Sequence, residues 1–185
     1  MTLRASDNPP SCYPEHLFQD MGVGNDKLWR VARTKSRQEK SLAWDLRSKG
    51  LPYYLPLVSM LRESGGRMRS SMLPLFSGYL FFKGNDYDRY WALSTGRVAQ
   101  VIEVAEQQGL TAELSNLNTA IQLQKDLRLC DFFACGGKVL VIAGPFSGIE
   151  GMVKMQKGKT RLVLKIQAIR QAVSFDIGMD QVRPL

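Results

Sequence analysis

Histidine is nearly absent from this chain: among 185 residues there is one, His16, in a proline-rich N-terminal stretch. A Ser/His or Cys/His nucleophile pair would have to draw its base from that stretch. Acidic residues are scattered rather than paired inside apolar segments, so general acid–base chemistry is equally poorly supplied. The three cysteines, Cys12, Cys130 and Cys135, include one close pair in sequence, but no further Cys or His stands near it to complete a zinc site. Reduced, idle thiols are expected, with no metal, no cofactor and no enzymatic activity. Long hydrophobic runs are missing too. The best candidate, MLPLFSGYLFF (Met72–Phe82), is broken by Pro74, Ser77 and Gly78 and falls short of the roughly 18 residues of a membrane-spanning helix. The N-terminal MTLRASDNPPSCYPEH lacks a basic-then-apolar signal pattern. A cytoplasmic protein with no membrane attachment is expected, and a monomer.

Positive charge, by contrast, is plentiful and unevenly placed. The net charge is +8, yet residues 1–26 carry −3 and residues 101–130 carry −2. Residues 27–100 hold fourteen Lys and Arg against five acidic residues, a net +9, and residues 131–185 hold +4. A field concentrated on the first folded half fits a polyanionic partner, most simply nucleic acid; a solvated basic face is the plainer alternative.

Residues 1–26, with Pro9, Pro10, Pro14, Gly22 and Gly24 and little periodicity, read as a flexible tail. Order is expected from KLWRVARTK (Lys27–Lys35), a strand. Ser36-Arg37-Gln38-Glu39 has the form of a capping box, followed by Leu42, Ala43 and Leu46 on one helical face and Gly50 as a left-handed stop. YYLPLVSMLR (Tyr53–Arg62) reads as a strand, Gly65-Gly66 as a turn, and SGYLFFKG (Ser77–Gly84) as a strand apolar on both faces. Tyr79 and Phe81 share one of those faces, which belongs either to a core or to a partner. Asp86 is placed to cap a short helix carrying Tyr87, Tyr90, Trp91 and Leu93; VAQVIEV (Val98–Val104) is a further strand. Leu110, Leu114, Leu117 and Ile121 predict an amphipathic helix over Thr111–Gln124. The order implies an α+β layer with a mostly antiparallel four-stranded sheet over residues 27–124.

After residues 125–136, read as a linker, the pattern changes. KVLVIA, GMVKMQ, TRLVLKI and QAVSFDI are short strands separated by turn residues, which predicts a small β-barrel over residues 137–185. The connection GPFSGIEG (Gly144–Gly151) has neither the Lys-Ser/Thr ending of a P-loop nor a helix after it. Gly144 and Gly148 fit turn conformations barred to other residues, Gly151 fits a close strand approach, and Phe146 stands at the expected loop tip. The basic run Arg30, Arg33, Lys35, Arg37, Lys40 passes from a strand into a helix start, an arrangement suited to phosphate and also common on plain charged surfaces.

Four blocks, WRVARTKSRQEKSLAWDLRSKG, YYLPL, PLFSGYLFF and KVLVIAGPFSGIEGMVKMQKGKTRLVL, together resemble the NusG family of transcription elongation factors. The first three are similar to its N-terminal (NGN) domain and the last to its C-terminal SH3-like KOW barrel. The resemblance implies docking on the clamp helices of bacterial RNA polymerase through an apolar patch that includes Tyr79 and Phe81. It implies contact with the opposite lobe around Arg89, Tyr90 and Trp91, and contact with non-template DNA near Arg33, Lys35 and Arg37. It also implies recruitment, through Phe146 and Ile169 of the KOW domain, of a small-subunit ribosomal protein or the termination factor Rho. VAQVIEV departs from the housekeeping pattern, and the chain looks closer to specialised antitermination paralogues of the RfaH and UpxY type. The C-terminal part is too β-branched and Gly-rich for an RfaH-like helical hairpin, while Leu127, Leu129, Phe132 and Phe133 are placed to dock the linker onto Tyr79 and Phe81. The alternative is a ribosome- or RNA-associated KOW protein that binds structured RNA.

Overall fold

The computed structural model describes residues 8–18, 27–64, 67–123, 127–133, 136–156 and 158–185. The chain divides into two compact units, Met1–Gln107 and Gln108–Leu185. Both are built on antiparallel sheets, and the α-helices give the whole a mixed α/β content.

The first unit contains β1 (Cys12–Tyr13), β2 (Leu28–Thr34), α1 (Glu39–Ser48), β3 (Tyr53–Tyr54), β4 (Leu57–Ser64), β5 (Arg67–Pro74), β6 (Tyr79–Gly84), α2 (Asp86–Ser94) and β7 (Val98–Glu103). Its sheet runs β1-β3-β6-β2-β7, all antiparallel, so β6 lies at the centre. The four expected strands are present, and β1 adds a fifth at the edge. That corrects the reading of residues 1–26 as wholly a tail: Cys12 and Tyr13 pair with Tyr54 and Tyr53. Tyr53–Arg62 is likewise two strands rather than one, because β4 leaves the sheet to form a separate hairpin with β5. The expected Gly65-Gly66 turn lies outside the described residues.

One face of this sheet packs on the helices. Ala32, Leu80, Phe82, Tyr53 and Val101 meet Leu42, Ala43 and Leu46 of α1 and Ala92 of α2 in one buried cluster. The spacing of 42, 43 and 46 gives α1 the single apolar stripe it buries, and Gly50 ends it at φ +71. The start of α1 differs from expectation. Arg37 has a left-handed φ of 60, the helix begins at Glu39, and no side chain caps it. Glu39 instead turns inward and accepts a 2.6 Å hydrogen bond from the Gly78 amide, tying the helix start to the turn before β6. At α2 the cap is Asn85, not Asp86: Asn85 Oδ1 accepts from the Asp88 amide and Asp88 Oδ2 from the Asn85 amide, both at 3.0 Å.

The helix α3 (Gln107–Leu123) carries buried Leu110, Leu114, Leu117 and Ala120. The second unit then has β8 (Arg128–Cys130), β9 (Gly137–Val141), β10 (Glu150–Gln156), β11 (Lys159–Ile166), β12 (Gln171–Asp176) and β13 (Val182–Pro184). They form one six-stranded antiparallel sheet in the order β13-β9-β10-β11-β12-β8. Part of the expected linker is therefore strand: Arg128–Cys130 pairs with Ala172–Ser174. In β11, Leu162, Val163, Leu164 and Ile166 are all buried, so this central strand is covered on both faces. Gly148 adopts φ +90, and a Cβ on Gly151 would stand 2.9 Å from Leu162 Cδ1 and 3.0 Å from the Val163 carbonyl, as the motif required.

Candidate functional site

In an antiparallel ladder, directly opposed residues share a face. Phe81 opposes Val31 on one side and Tyr54 on the other, and Tyr79 opposes Arg33. Trp29, Val31, Phe81 and Tyr54 thus line the sheet face turned away from α1 and α2. Phe76, just before β6, adds its ring edge-on to Phe81 at 6.5 Å, and Tyr54 stands 6.5 Å from Phe81. Phe81 is fully buried, whereas Tyr79 is half-buried. Of the two predicted clamp-binding residues, Tyr79 alone is reachable without rearrangement.

Part of the cover over this face comes from the N-terminal segment. Pro14 accepts from the Leu17 amide at 3.0 Å, a turn that places Phe18 against two rings of the face. Phe18 stacks on Trp29 at 6.2 Å and meets Tyr54 edge-on at 5.1 Å. Burial on this face pushes the Tyr54 hydroxyl well above its ordinary range, and on the opposite, helix-facing side burial pushes that of Tyr53 up to about 12. Lys83 lies over the Trp29 ring at 5.1 Å, and desolvation lowers its pKa.

The predicted nucleic-acid residues Arg33, Lys35 and Arg37 are all exposed at the β2–α1 junction. The Lys35 amide donates to the Arg97 carbonyl at 2.8 Å, and Arg97 is itself held by Asp45 and by Gln38. Three cationic side chains therefore stand beside the start of α1, where no side chain caps the first helical amides. Lys40 belongs to the same basic run but turns inward. Its ammonium donates at 2.6 Å to both Asn8 Oδ1 and the Met72 carbonyl, and burial lowers its pKa.

On α2 the three predicted lobe contacts separate. Tyr90 is exposed; Arg89 is partly buried, packs on the Tyr90 ring at 5.3 Å and reaches Glu103 at 3.8 Å. Trp91 packs partly against the core, with the Lys49 ammonium 5.6 Å from its ring centre. The same ammonium lies 5.6 Å from the exposed Tyr87 ring. Tyr87 and Lys49 extend this surface and were not singled out as site residues, although Tyr87 and Tyr90 stand one helical turn apart in the sequence. Below them Arg30 is buried and bonded to Asp86 at 2.6 Å and the Gly84 carbonyl at 3.2 Å, which anchors the start of α2 to the sheet.

In the second unit the structure corrects the presentation of Phe146 and Ile169. Both are buried, and the Phe146 ring packs 4.7 Å from Phe175. The loop folds inward because Gly148 donates back to the Val141 carbonyl at 2.8 Å, which turns the aromatic toward the sheet. Exposed aromatic surface lies elsewhere: Phe132 and Phe133 meet edge-on, with Lys165 over the first ring at 5.1 Å and Arg170 over the second at 5.3 Å. Cys12 and Cys130 are free thiols, and burial raises Cys12 to about 11; Cys135 lies outside the described residues. Among the described residues no group of three or more His, Cys, Asp or Glu is placed to hold a metal, and no helix is long and apolar enough to cross a membrane.

Comparison with known proteins gives one family. Residues 27–118 match the family described as "Transcription termination factor nusG". No curated protein matches the chain. The matched span holds β2 through β7 with both helices and most of α3, and leaves the N-terminal segment outside it. Residues 27–118 are a NusG-family domain, and through it the chain belongs to the NusG family of transcription factors.

Proposed function

We propose that this chain is a non-enzymatic factor that binds bacterial RNA polymerase during elongation and suppresses pausing and termination, as a specialised antitermination paralogue of the RfaH and UpxY type. The observation that carries the reading is the family match over residues 27–118, with the aromatic strand β6 at the centre of its sheet. On this reading the Tyr79–Phe81 face receives the polymerase clamp helices, an apolar helix-on-groove contact. The Arg89-Tyr90-Trp91 surface, widened by Tyr87 and Lys49, meets the opposite lobe. Arg33, Lys35 and Arg37 track the phosphates of the non-template strand.

The second unit acts as the KOW-type domain that recruits a small-subunit ribosomal protein or Rho. With Phe146 and Ile169 inside, the contact falls to exposed neighbours of those loops, such as Ile142 and Arg170. The test is binding to core RNA polymerase. Capture of the enzyme by the wild type, weakened by Tyr79→Ala without a change in thermal stability, supports the reading. Absence of capture, together with tight, salt-dependent RNA binding by the chain alone, would replace it with the RNA-associated alternative.

A further inference from the structure

Residues 8–18 lie outside the matched domain, yet they are bound to it along two sides. At the sheet edge the attachment is short. It includes the Cys12–Tyr54 and Tyr13–Tyr53 pairs, the Leu55 amide donating to the Ser11 carbonyl at 2.7 Å, the Tyr53 hydroxyl donating to the Pro10 carbonyl at 3.0 Å, the Lys40 ammonium donating to Asn8 Oδ1 at 2.6 Å, and the Tyr13 ring stacked on Tyr53 at 6.1 Å. Leu17 is 6% exposed, and on the face Phe18 lies across Trp29 and Tyr54. Tyr54 is the direct cross-strand neighbour of Phe81. The segment thus occupies the apolar surface beside the residue at the middle of the proposed docking strand.

We propose that this N-terminal segment is a displaceable cover: it holds the Trp29–Tyr54 side of the face closed, and a helical partner must remove it to dock there. The proposal rests on the reading of that face as the polymerase-binding surface. Three features support a cover over a permanent strand. The ladder holding it is two residue pairs long, at an edge, where opening is least costly. Its ring contacts on the face come from one side chain, Phe18, rather than from a continuous apolar stripe. And the surface beneath that ring, Trp29 and Tyr54 flanking Phe81, is the flat aromatic kind that an apolar helix face would take in its place. A face available only in the open fraction binds more weakly by that fraction, so locking the cover off tightens binding without adding any contact.

The experiment uses the full chain and the full-length variant carrying Leu17→Asp and Phe18→Asp, each titrated against core polymerase. If the cover is open about a tenth of the time or less, the variant binds roughly tenfold or more tightly. Equal affinity shows a permanent strand, and weaker binding by a variant of unchanged circular dichroism shows that the segment belongs to the docking surface. Either result overturns the proposal. A second measurement needs no polymerase and so separates this inference from the functional reading. Hydrogen exchange in the wild type is expected to be markedly faster at the Leu55 amide, held by Ser11, than at the central Phe81 amide. Equally slow exchange at the two sites overturns the cover even if no polymerase is ever bound.

Discussion

Replacing Phe81 by alanine separates a docking residue from a core residue, and the structure says how large the effect must be. The ring is fully buried between Val31 and Tyr54 on the neighbouring strands, with Phe76 edge-on beside it. Truncating a buried phenylalanine removes its transfer energy and leaves a cavity, at a cost of about 3–5 kcal/mol. For a unit of roughly a hundred residues, each 1 kcal/mol moves the melting temperature by about 4–8 °C. The expected fall is therefore on the order of 20 °C, comparable to much of the stability of a typical domain.

Phe81→Leu keeps most of the volume and should cost under about 1.5 kcal/mol. Tyr79→Ala, on a half-buried side chain, should shift the transition far less than Phe81→Ala. Calorimetry of the full chain, with near-ultraviolet circular dichroism to assign the transition, measures all three. A fall of less than about 5 °C for Phe81→Ala, equivalent to roughly 1 kcal/mol, would refute the reasoning. It would mean that the face around Phe81 is already open in solution. If the large fall is seen, loss of polymerase binding by Phe81→Ala carries no information about docking, and Tyr79 becomes the residue to test.

The cap of α2 gives a smaller, local effect: Asn85→Ala breaks the reciprocal bonds with Asp88 and should cost about 1 kcal/mol, read as a drop in denaturant midpoint at constant slope. Gly151→Ala places a methyl 3.0 Å from the Val163 carbonyl, which cannot rotate away; a loss on the order of 1–3 kcal/mol in the second unit is expected, and an unchanged midpoint contradicts the close approach. Tyr53 ionises at about 12 in the folded chain against 10 when free, so the folded state holds the proton longer. Stability is intact below pH 10 and declines as pH rises from there through about 12; an absorbance titration should lose that late step in Tyr53→Phe. Burial raises the Glu113 pKa above 4.5, so its cost to stability is absent below that value and grows as pH rises through the folded pKa. Glu113→Gln, still able to accept from the Gln167 amide, should stabilise the chain at pH 7 and not at pH 3.5.

What was legible in the sequence is what periodicity and local chemistry determine. The stripe Leu42, Ala43, Leu46 and the left-handed Gly50 located α1, alternation located β6 and β11, and the glycines of GPFSGIEG predicted two of its backbone conformations. Exposure was harder, because it depends on what arrives from elsewhere in the chain. Tyr79 and Phe81 alternate identically in sequence, yet Tyr54 and Phe76 close around only the second. Phe146 looked like a loop tip until the bond from Gly148 to Val141 turned it onto Phe175.

The N-terminal segment was the least legible, for a physical reason. It is held by carbonyls of Pro10 and Ser11, groups every residue possesses, by the Asn8 amide oxygen that takes the Lys40 ammonium, by the Tyr13 ring on Tyr53, and by Leu17 and Phe18, apolar positions that make no periodic pattern. Its prolines and glycines and its lack of periodicity point to a tail, but the amide donors that proline withholds matter little to an edge segment that mainly accepts hydrogen bonds. Sequence periodicity registers a segment that builds its own apolar stripe. A segment that borrows the stripe of the domain beneath it leaves no such trace, and one that borrows so little is also one the domain can release.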